Sequence, residues 1–333
     1  MKRLMISVLL SALLVSSASA EFTKVGSSGA QFLKIAVGSR YQAMGEAAAA
    51  TADDVYATFF NPAGLAEIGN GAISFTKVDY LLDIDLNYVG FAKYFDDVGV
   101  LGLSATMLSA GDQEITTLEQ QDGTGEYYTA SSYAVGVTYA RQLNLRFSFG
   151  ASLKYIAERI HNERAEGFAV DFGTLVYLGY RSLRLGMAIS NMGPEMKFSG
   201  SDLIVQYYDE PDDDPTGPVS AELKTTPYDL PLLFRIGLAY DIDLGYKSVM
   251  TVAGELKHPN DNVQQGAFGV EYAFDDNFFL RGGYKLNYDE EGLTAGAGLA
   301  TDLSKSTRLV IDYAWQDFGR LQSTQRFSVG FTF

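Results

Sequence analysis

The feature that most constrains the fold is a two-residue alternation between apolar side chains and small or charged ones. In the last segment, Phe327, Val329, Phe331 and Phe333 share one face, and Arg326, Ser328, Gly330 and Thr332 share the other. The same alternation recurs over 308–315, 268–274, 234–240 and 183–190. A period of two places successive side chains on opposite faces of an extended chain, and it therefore predicts β-strands.

Two folds fit such strands. In a soluble β-sandwich the apolar face points into the core. In an outer-membrane barrel it meets lipid, and small or charged side chains line the lumen. Three features favour the barrel: Tyr and Phe concentrate at segment ends, as in an interfacial girdle, the chain stops on an aromatic residue, and charges of both signs recur on the polar face. These charges are Glu255, Lys257, Glu271, Arg281, Lys285, Arg308, Asp312 and Arg326.

The number of segments and the lengths of their connections also favour a barrel. If the last strand ends in the periplasm, every short connection falls on the periplasmic side, and the long connections 109–130 and 192–231 fall outside, as in bacterial barrels. We therefore predict an all-β fold, a transmembrane antiparallel barrel of fourteen strands over 71–333. The strands are predicted at 73–80, 85–95, 98–108, 131–141, 145–159, 166–177, 182–191, 232–241, 246–258, 264–274, 277–288, 292–302, 306–316 and 324–333.

The amino terminus predicts export. Lys2 and Arg3 precede an apolar stretch, and Ala18-Ser19-Ala20 forms a small-residue cleavage site, so residues 1–20 read as a cleavable signal peptide. The mature chain then carries 23 basic and 41 acidic residues, a net charge of −18. This balance disfavours nucleic acid, which requires a basic face. The signal peptide and the barrel together predict that the chain resides in the outer membrane of a Gram-negative-type bacterium, in contact with outer-membrane lipid.

Residues 21–70 do not alternate and are predicted to form a hatch that plugs the lumen, because a barrel of this size is too wide for its wall side chains to fill. The alanine-rich stretch Ala43–Ala52 predicts a short helix, and Asn61-Pro62 predicts a turn. Arg40, Asp53 and Asp54 are candidates to pin the hatch to charges in the lumen, since buried ions need partners.

The hatch segment resembles the N-terminal signature of the PorV/PorQ family, whose barrel has the architecture of the FadL fatty-acid transporters. The resemblance implies fourteen strands and an N-terminal hatch with an Asn-Pro-Ala turn. It rests on Gly29-Ala30-Gln31-Phe32-Leu33-Lys34-Ile35, Gly38-Ser39-Arg40, Met44-Gly45-Glu46-Ala47, Asp53-Asp54 and Phe59-Phe60-Asn61-Pro62-Ala63-Gly64-Leu65-Ala66. The hatch residues singled out are Gly38, Arg40, Met44, Gly45, Asp53, Asp54, Asn61, Pro62, Ala63 and Gly64.

The resemblance implies one of two functions. PorV-type members receive exported proteins beside the type IX translocon, whereas FadL-type members take up long-chain fatty acids or other hydrophobic small molecules. An apolar outer pocket joined to a wall opening would favour uptake, and a sealed wall with apolar loop tips would favour docking. For docking, the apolar part of the long outer loop supplies the candidate contacts Leu203, Ile204, Val205, Tyr207 and Tyr208.

Other candidate sites have simpler interpretations. The acidic run Asp209–Asp214 lacks the spacing of an EF-hand and is read as a solvated loop rather than a calcium site. The chain has no cysteine and only His161 and His258, without a Gly-x-Ser-x-Gly elbow. Gly296-Ala297-Gly298 reads as small residues facing the plug or wall. No catalytic residue, metal or cofactor is predicted, and the chain is not expected to be an enzyme.

Overall fold

The computed structural model describes residues 25–207 and 219–333. The predicted signal peptide, Tyr208 and the acidic run Asp209–Asp214 lie outside the described residues.

Fourteen long antiparallel strands form a closed barrel. Three short strands lie in the long loop between the seventh and eighth of them. In chain order the strands are β1 Gly71–Asp79, β2 Asp85–Phe95, β3 Gly99–Glu114, β4 Tyr127–Asn144, β5 Phe147–Ile160, β6 Glu163–Tyr177, β7 Arg184–Met192, β8 Ser199–Gly200, β9 Ile204–Tyr207, β10 Val219–Glu222, β11 Leu233–Gly245, β12 Ser248–Pro259, β13 Gln265–Phe274, β14 Phe278–Leu286, β15 Leu293–Asp302, β16 Arg308–Asp317 and β17 Ser323–Thr332.

The ring closes where β1 pairs with β17, with Phe75 opposite Val329. β7 pairs directly with β11, so the loop that carries β8, β9 and β10 leaves the wall and returns to it. Short turns lie at the end where β17 stops, and the longer connections lie at the other. Because outer-membrane barrels have short periplasmic turns and long external loops, these ends are periplasmic and extracellular, respectively.

The predicted alternation is confirmed in the wall. On β4, the outward residues Val135 and Val137 are 50% and 53% exposed, whereas the inward residue Ala140 is fully buried. The predicted outer connection 109–130 is wrong in extent, because β3 and β4 continue to Glu114 and Tyr127. These extensions follow an irregularity between Ser109 and Asp112 and carry polar residues on both faces. The sequence pattern fades where the apolar face ends, although the strand pairing continues.

Residues 25–70 form the hatch, which packs inside the barrel through short helical turns. These are 3₁₀ turns at Gln31–Lys34 and Pro62–Glu67 and α-helical turns at Ser39–Ala43 and Ala57–Phe60. Three further 3₁₀ turns, Leu81–Asp83, Ser201–Leu203 and Gly319–Leu321, belong to outer loops. No helix among residues 25–207 and 219–333 is long and apolar enough to cross a membrane.

The helix predicted over Ala43–Ala52 is wrong. The helical turn ends at Ala43, and Gly45 and Glu46 both adopt positive φ, +67° and +66°. An α-helix requires negative φ at every residue. The alanines are there because this segment lies against the wall, where larger side chains would not fit: Ala47, Ala48 and Ala49 are at most 2% exposed. The core lies between the hatch and the wall, and it includes Tyr41, Val55 and Phe60.

Candidate functional site: the charged lumen and its hatch

The hatch runs from the extracellular mouth to the periplasmic end. At the mouth, the Ala30 amide donates to Glu158 Oε2 at 3.2 Å, and Lys34 Nζ lies 2.9 Å from Asp261 Oδ1 in the loop between β12 and β13. The segment then passes down the lumen and joins β1 at Gly71, next to the last residues of β17. The hatch is therefore attached at both ends of the barrel.

A buried carboxylate holds the middle of the hatch to the wall. Glu46 Oε2 accepts from Lys257 Nζ at 2.7 Å, and Glu46 Oε1 accepts from Lys285 Nζ. All three side chains are at most 7% exposed. Lys285 also pairs with Glu291 at the mouth. Burial alone would raise the pKa of Glu46, but the two lysines, with Arg235 nearby, lower it well below its usual range.

A second ion cluster lies nearer the periplasm. Arg40 Nε and Nη2 donate to the two carboxylate oxygens of Glu271, each at 3.0 Å, and Arg40 Nη1 donates to Asp53 at 2.6 Å. Glu271 also accepts from Arg281, which in turn binds Asp312 at 2.5 Å. A bidentate guanidinium–carboxylate pair fixes orientation as well as position. The prediction that Arg40 pins the hatch to lumen charges agrees with this contact.

The other two candidate pins do not reach the wall. Asp53 contacts Arg40 within the hatch, and Asp54 Oδ1 accepts from the Tyr56 amide at 2.9 Å. The interpretation of Asp53 and Asp54 as pins to lumen charges is therefore wrong. The reason is local: Asp54 accepts from an amide of its own turn, and Asp53 accepts from Arg40 and Tyr41 of the hatch itself.

Uncharged contacts complete the seal on the same side of the lumen. Gln42, which is fully buried, donates to Gln316, and the Ser39 amide donates to Ser328 Oγ at 2.9 Å. The Gly45 amide donates to Thr294 Oγ1 at 3.0 Å. Ser328 sits on the polar face that the sequence assigned to the lumen, and Gln316 and Thr294 are likewise buried on the lumen side.

Wall glycines let the hatch backbone approach closely. A Cβ at Gly186 would lie 1.9 Å from the Ala49 carbonyl oxygen, and one at Gly173 would lie 2.0 Å from Asn61 Oδ1. A Cβ at Gly296 would lie 2.6 Å from the Ala43 methyl group. This confirms the interpretation of Gly296 as a small residue facing the plug.

Asn61-Pro62-Ala63-Gly64 makes the turn that ends the hatch. Asn61 Oδ1 accepts from the Ala63 amide at 3.2 Å, and Asn61 Nδ2 donates to the carbonyls of Ala49 and Thr174 at 2.6 and 3.1 Å. The side chain thus caps its own turn, ties two hatch segments together and reaches the wall. Gly64 is required because a Cβ there would meet the Ala52 carbonyl oxygen at 1.8 Å.

The remaining hatch positions pack inside the plug. Gly38 has φ +79° and lies against the Tyr56 ring, and Met44 is fully buried. Sequence reasoning did not select Glu46 or Gln42, although both bind the wall. Glu46 carried a usable signal: it is an isolated carboxylate within an alanine-rich segment assigned to a lumen, and such a charge requires a cationic partner.

Asp54 gives the hatch a predicted pH dependence. Burial, together with the charge of Asp53, raises the pKa of Asp54 to about 7. A carboxyl whose folded pKa lies above its unfolded value of about 3.9 costs stability as pH rises between those two values. We expect the hatch to resist protease better at pH 5 than at pH 7.5, and Asp54→Asn to reduce that difference. An unchanged pH profile in Asp54→Asn, with exposed Asp243→Asn as the control, would contradict this assignment.

The space left in the lumen is lined by charge. Two cavities of about 340 and 390 Å³ open to the mouth and share Lys34, Glu46, Tyr80, Glu291 and Phe318. The first is also lined by Arg235, Lys257 and Lys285, and the second by Arg326. These four cations are each at most 3% exposed. Apolar side chains such as Phe318 line the rest of each cavity, so the outer lumen is a vestibule lined by charged and apolar groups together.

The extracellular loops end in exposed apolar residues. Leu118 is 94% exposed and Leu82 is 88% exposed. Of the candidate partner contacts, Ile204 and Tyr207 are each 56% exposed on β9, while Leu203 and Val205 are half-buried. β9 pairs with β10 in a separate two-stranded ribbon. The structure therefore places four of the five candidates together at the outer surface.

The two histidines are exposed near outer strand ends. His161 Nε2 lies 3.8 Å from Asp202, and His258 occupies an outward position on β12. Within the described ranges, no group of three or more His, Asp or Glu residues is arranged to hold a metal ion.

Solved structures with the same architecture include a channel, a transporter and a FadL homologue. The chain superposes on the CymD monoaromatic hydrocarbon channel with a TM-score of 0.56 and 12% identity, covering 90% of this chain and 98% of that chain. The toluene transporter TbuX of Ralstonia pickettii superposes with a TM-score of 0.54 and 11% identity, covering 89% of this chain and 97% of that chain. A Pseudomonas aeruginosa FadL homologue superposes with a TM-score of 0.54 and 12% identity, covering 89% of this chain and 98% of that chain. No curated protein matches the chain. The fold is therefore that of an outer-membrane, FadL-type barrel with a hatch.

Sequence comparison identifies the family within that class. The family model described as type IX secretion system protein PorV matches residues 18–204, more than half of the chain. The protein belongs to the PorV family, as the hatch motifs predicted.

Proposed function

We propose that this barrel acts in type IX secretion, where its extracellular loops receive exported proteins and pass them on at the cell surface. The observation that carries the proposal is the combination of a closed, charge-lined lumen with apolar loop tips outside. Membership of the PorV family supports the same role.

The lumen disfavours uptake of hydrocarbons or fatty acids. An apolar molecule in the vestibule would strip water from Lys34 and Glu291, which line both cavities and whose side chains are 26% and 24% exposed, and desolvating charged groups without new partners is costly. Every barrel strand also pairs with both neighbours, including β1 with β17. Along most of the ring this pairing leaves no strand edge through which an apolar ligand would leave sideways; the exception is the outer part of β6, where residues 165–169 lie between the pairs with β7 and those with β8.

The outer tips suit protein contact. Leu82, Leu118, Ile204 and Tyr207 expose large apolar surfaces beyond the barrel. Ile204 and Tyr207 share one ribbon, Leu82 and Leu118 lie on other loops of the same end, and exposed apolar patches commonly mark protein interaction sites. We assign the exported protein, or the translocon that delivers it, to this surface.

A pull-down with loop variants tests the role. The tagged protein is purified in mild detergent from its native envelope, and its proteins and lipids are identified by mass spectrometry. We expect a very large outer-membrane barrel, or surface proteins that share a C-terminal domain. The double variant Leu82→Asp, Leu118→Asp should reduce their recovery roughly tenfold, as expected when interface anchors are lost.

Leu303→Asp is the matched control, because Leu303 is 57% exposed on the periplasmic turn between β15 and β16. It should leave recovery unchanged. A lone barrel carrying fatty acids or other hydrophobic ligands would refute the secretion role and assign the protein to uptake.

A further inference from the structure

Three arginines form a basic rim on two adjacent periplasmic turns. Arg141 and Arg146 flank the turn between β4 and β5, and Arg181 lies in the turn between β6 and β7. The turns are neighbours because β5 pairs with β6. All three side chains are exposed, and none forms an ion pair with a carboxylate of the described residues. Unpaired cations are unexpected in a chain with 41 acidic and 25 basic residues.

The contacts of the basic rim are with uncharged groups. Arg181 Nη1 donates to Tyr240 Oη at 3.3 Å, and the Arg146 guanidinium lies over Gly179, 3.0 Å from where a Cβ would stand. The contact of Arg146 with Gly179 holds the two turns side by side, that of Arg181 reaches β11, and neither neutralises its arginine.

Other periplasmic turns carry the opposite charge. Asp96 and Asp97 lie between β2 and β3, and Asp275 and Asp276 lie between β13 and β14. Lys247, between β11 and β12, is paired with Asp275 at 2.6 Å. Apart from Lys305 between β15 and β16, the unpaired positive charge of the periplasmic turns is therefore concentrated on the basic rim.

The basic rim lies where the lipid-facing wall ends. Arg141 continues the outward row of Val137 and Tyr139 on β4 and stands opposite Phe149 on β5. Arg181 reaches Tyr240, which continues the outward row of β11. Tyrosines of this kind mark the level of the lipid headgroups. The guanidinium groups thus lie at the depth of the headgroup phosphates.

Exposed apolar side chains accompany the arginines. Leu145 is 92% exposed, Tyr180 is 65% exposed and Leu143 is 60% exposed. Contact with the membrane interface would cover such side chains while the arginines remain hydrated and charged. Arginine also matches a phosphate group with two parallel hydrogen bonds.

We infer that the basic rim binds the phosphate headgroups of anionic phospholipid in the periplasmic leaflet. The site is independent of the secretion role, because it lies at the opposite end of the barrel from the loop tips. Its ligand is one that the surrounding bilayer supplies.

Lipid retention measured by native mass spectrometry tests the inference. The protein is exchanged in detergent containing equal amounts of phosphatidylglycerol and phosphatidylcholine. Wild type should retain phosphatidylglycerol preferentially, and Arg141→Gln, Arg146→Gln and Arg181→Gln should each lower that preference roughly fivefold, as expected for one cation at an anionic surface. Because lysine keeps the charge, the three Arg→Lys substitutions together should retain most of the preference.

The double variant Lys247→Gln, Lys305→Gln is the matched control on other periplasmic turns and should behave as wild type. Heat-modifiable mobility on gels verifies that each variant is folded. An unchanged preference in the triple Arg→Gln variant would overturn the inference. Displacement of the lipid by excess inorganic phosphate would also overturn it and would assign the arginines to a free anion.

Discussion

Glu46→Gln is expected to release the hatch. The substitution leaves Lys257 and Lys285, each 2% exposed, without the buried carboxylate they share. Breaking a buried ion pair by removing one partner costs about 3–5 kcal/mol, because the remaining charge is uncompensated. We expect higher single-channel conductance in planar bilayers and faster proteolysis of residues 38–60.

Two further variants separate this effect from a general loss of charge. Glu290→Gln removes a carboxylate that pairs with Arg320 at the exposed mouth and should change conductance little. Adding Lys257→Met to Glu46→Gln removes the cation that is left without a carboxylate, since Lys285 still pairs with Glu291, and should restore much of the seal. Conductance of Glu46→Gln equal to wild type would refute the role of Glu46 as the latch.

Gly186→Ala is expected to displace the hatch by steric contact. The new methyl group would lie 1.9 Å from the Ala49 carbonyl oxygen and 2.7 Å from the Ala50 amide nitrogen. Overpacking of this kind costs about 1–3 kcal/mol. We expect a lower yield of the heat-modifiable folded form, together with greater protease access to the hatch.

Gly254→Ala is the matched control, since the nearest atom to its new methyl group is the Ala267 carbonyl oxygen at 4.0 Å. Adding Ala49→Gly to Gly186→Ala should not rescue the fold, because the clash is with backbone atoms. Identical folding and protease sensitivity in Gly186→Ala and Gly254→Ala would show that the hatch does not depend on close approach at this strand.

The barrel was predictable because lipid imposes a regular pattern on the sequence. Each wall strand must show apolar groups outward and keep polar groups inward, so Phe327, Val329 and Phe331 alternate with their lumen partners. On the extensions of β3 and β4 beyond Ser109 the apolar face ends, so the alternation weakens there. The ends predicted for these two strands are therefore wrong.

The hatch was predictable only in outline. Its motifs identify the family. Its backbone, however, follows the surface of the lumen rather than its own helix propensity, and the helix predicted over Ala43–Ala52 is therefore wrong. The role of Glu46 depends on Lys257 and Lys285, which are 211 and 239 residues away along the chain. No local pattern indicates a pairing over such a separation.

The long sequence separation between hatch residues and their wall partners also determines the order in which the protein assembles. Glu46 meets its lysines on β12 and β14, and Arg40 meets Glu271 on β13, which is 231 residues later in sequence. Contacts between distant residues form late, because the intervening chain must first be brought together. The N-terminal segment must therefore wait, unlatched, until the C-terminal half of the wall has assembled around it. A hatch seated on these contacts therefore occurs only in a barrel whose C-terminal half has assembled.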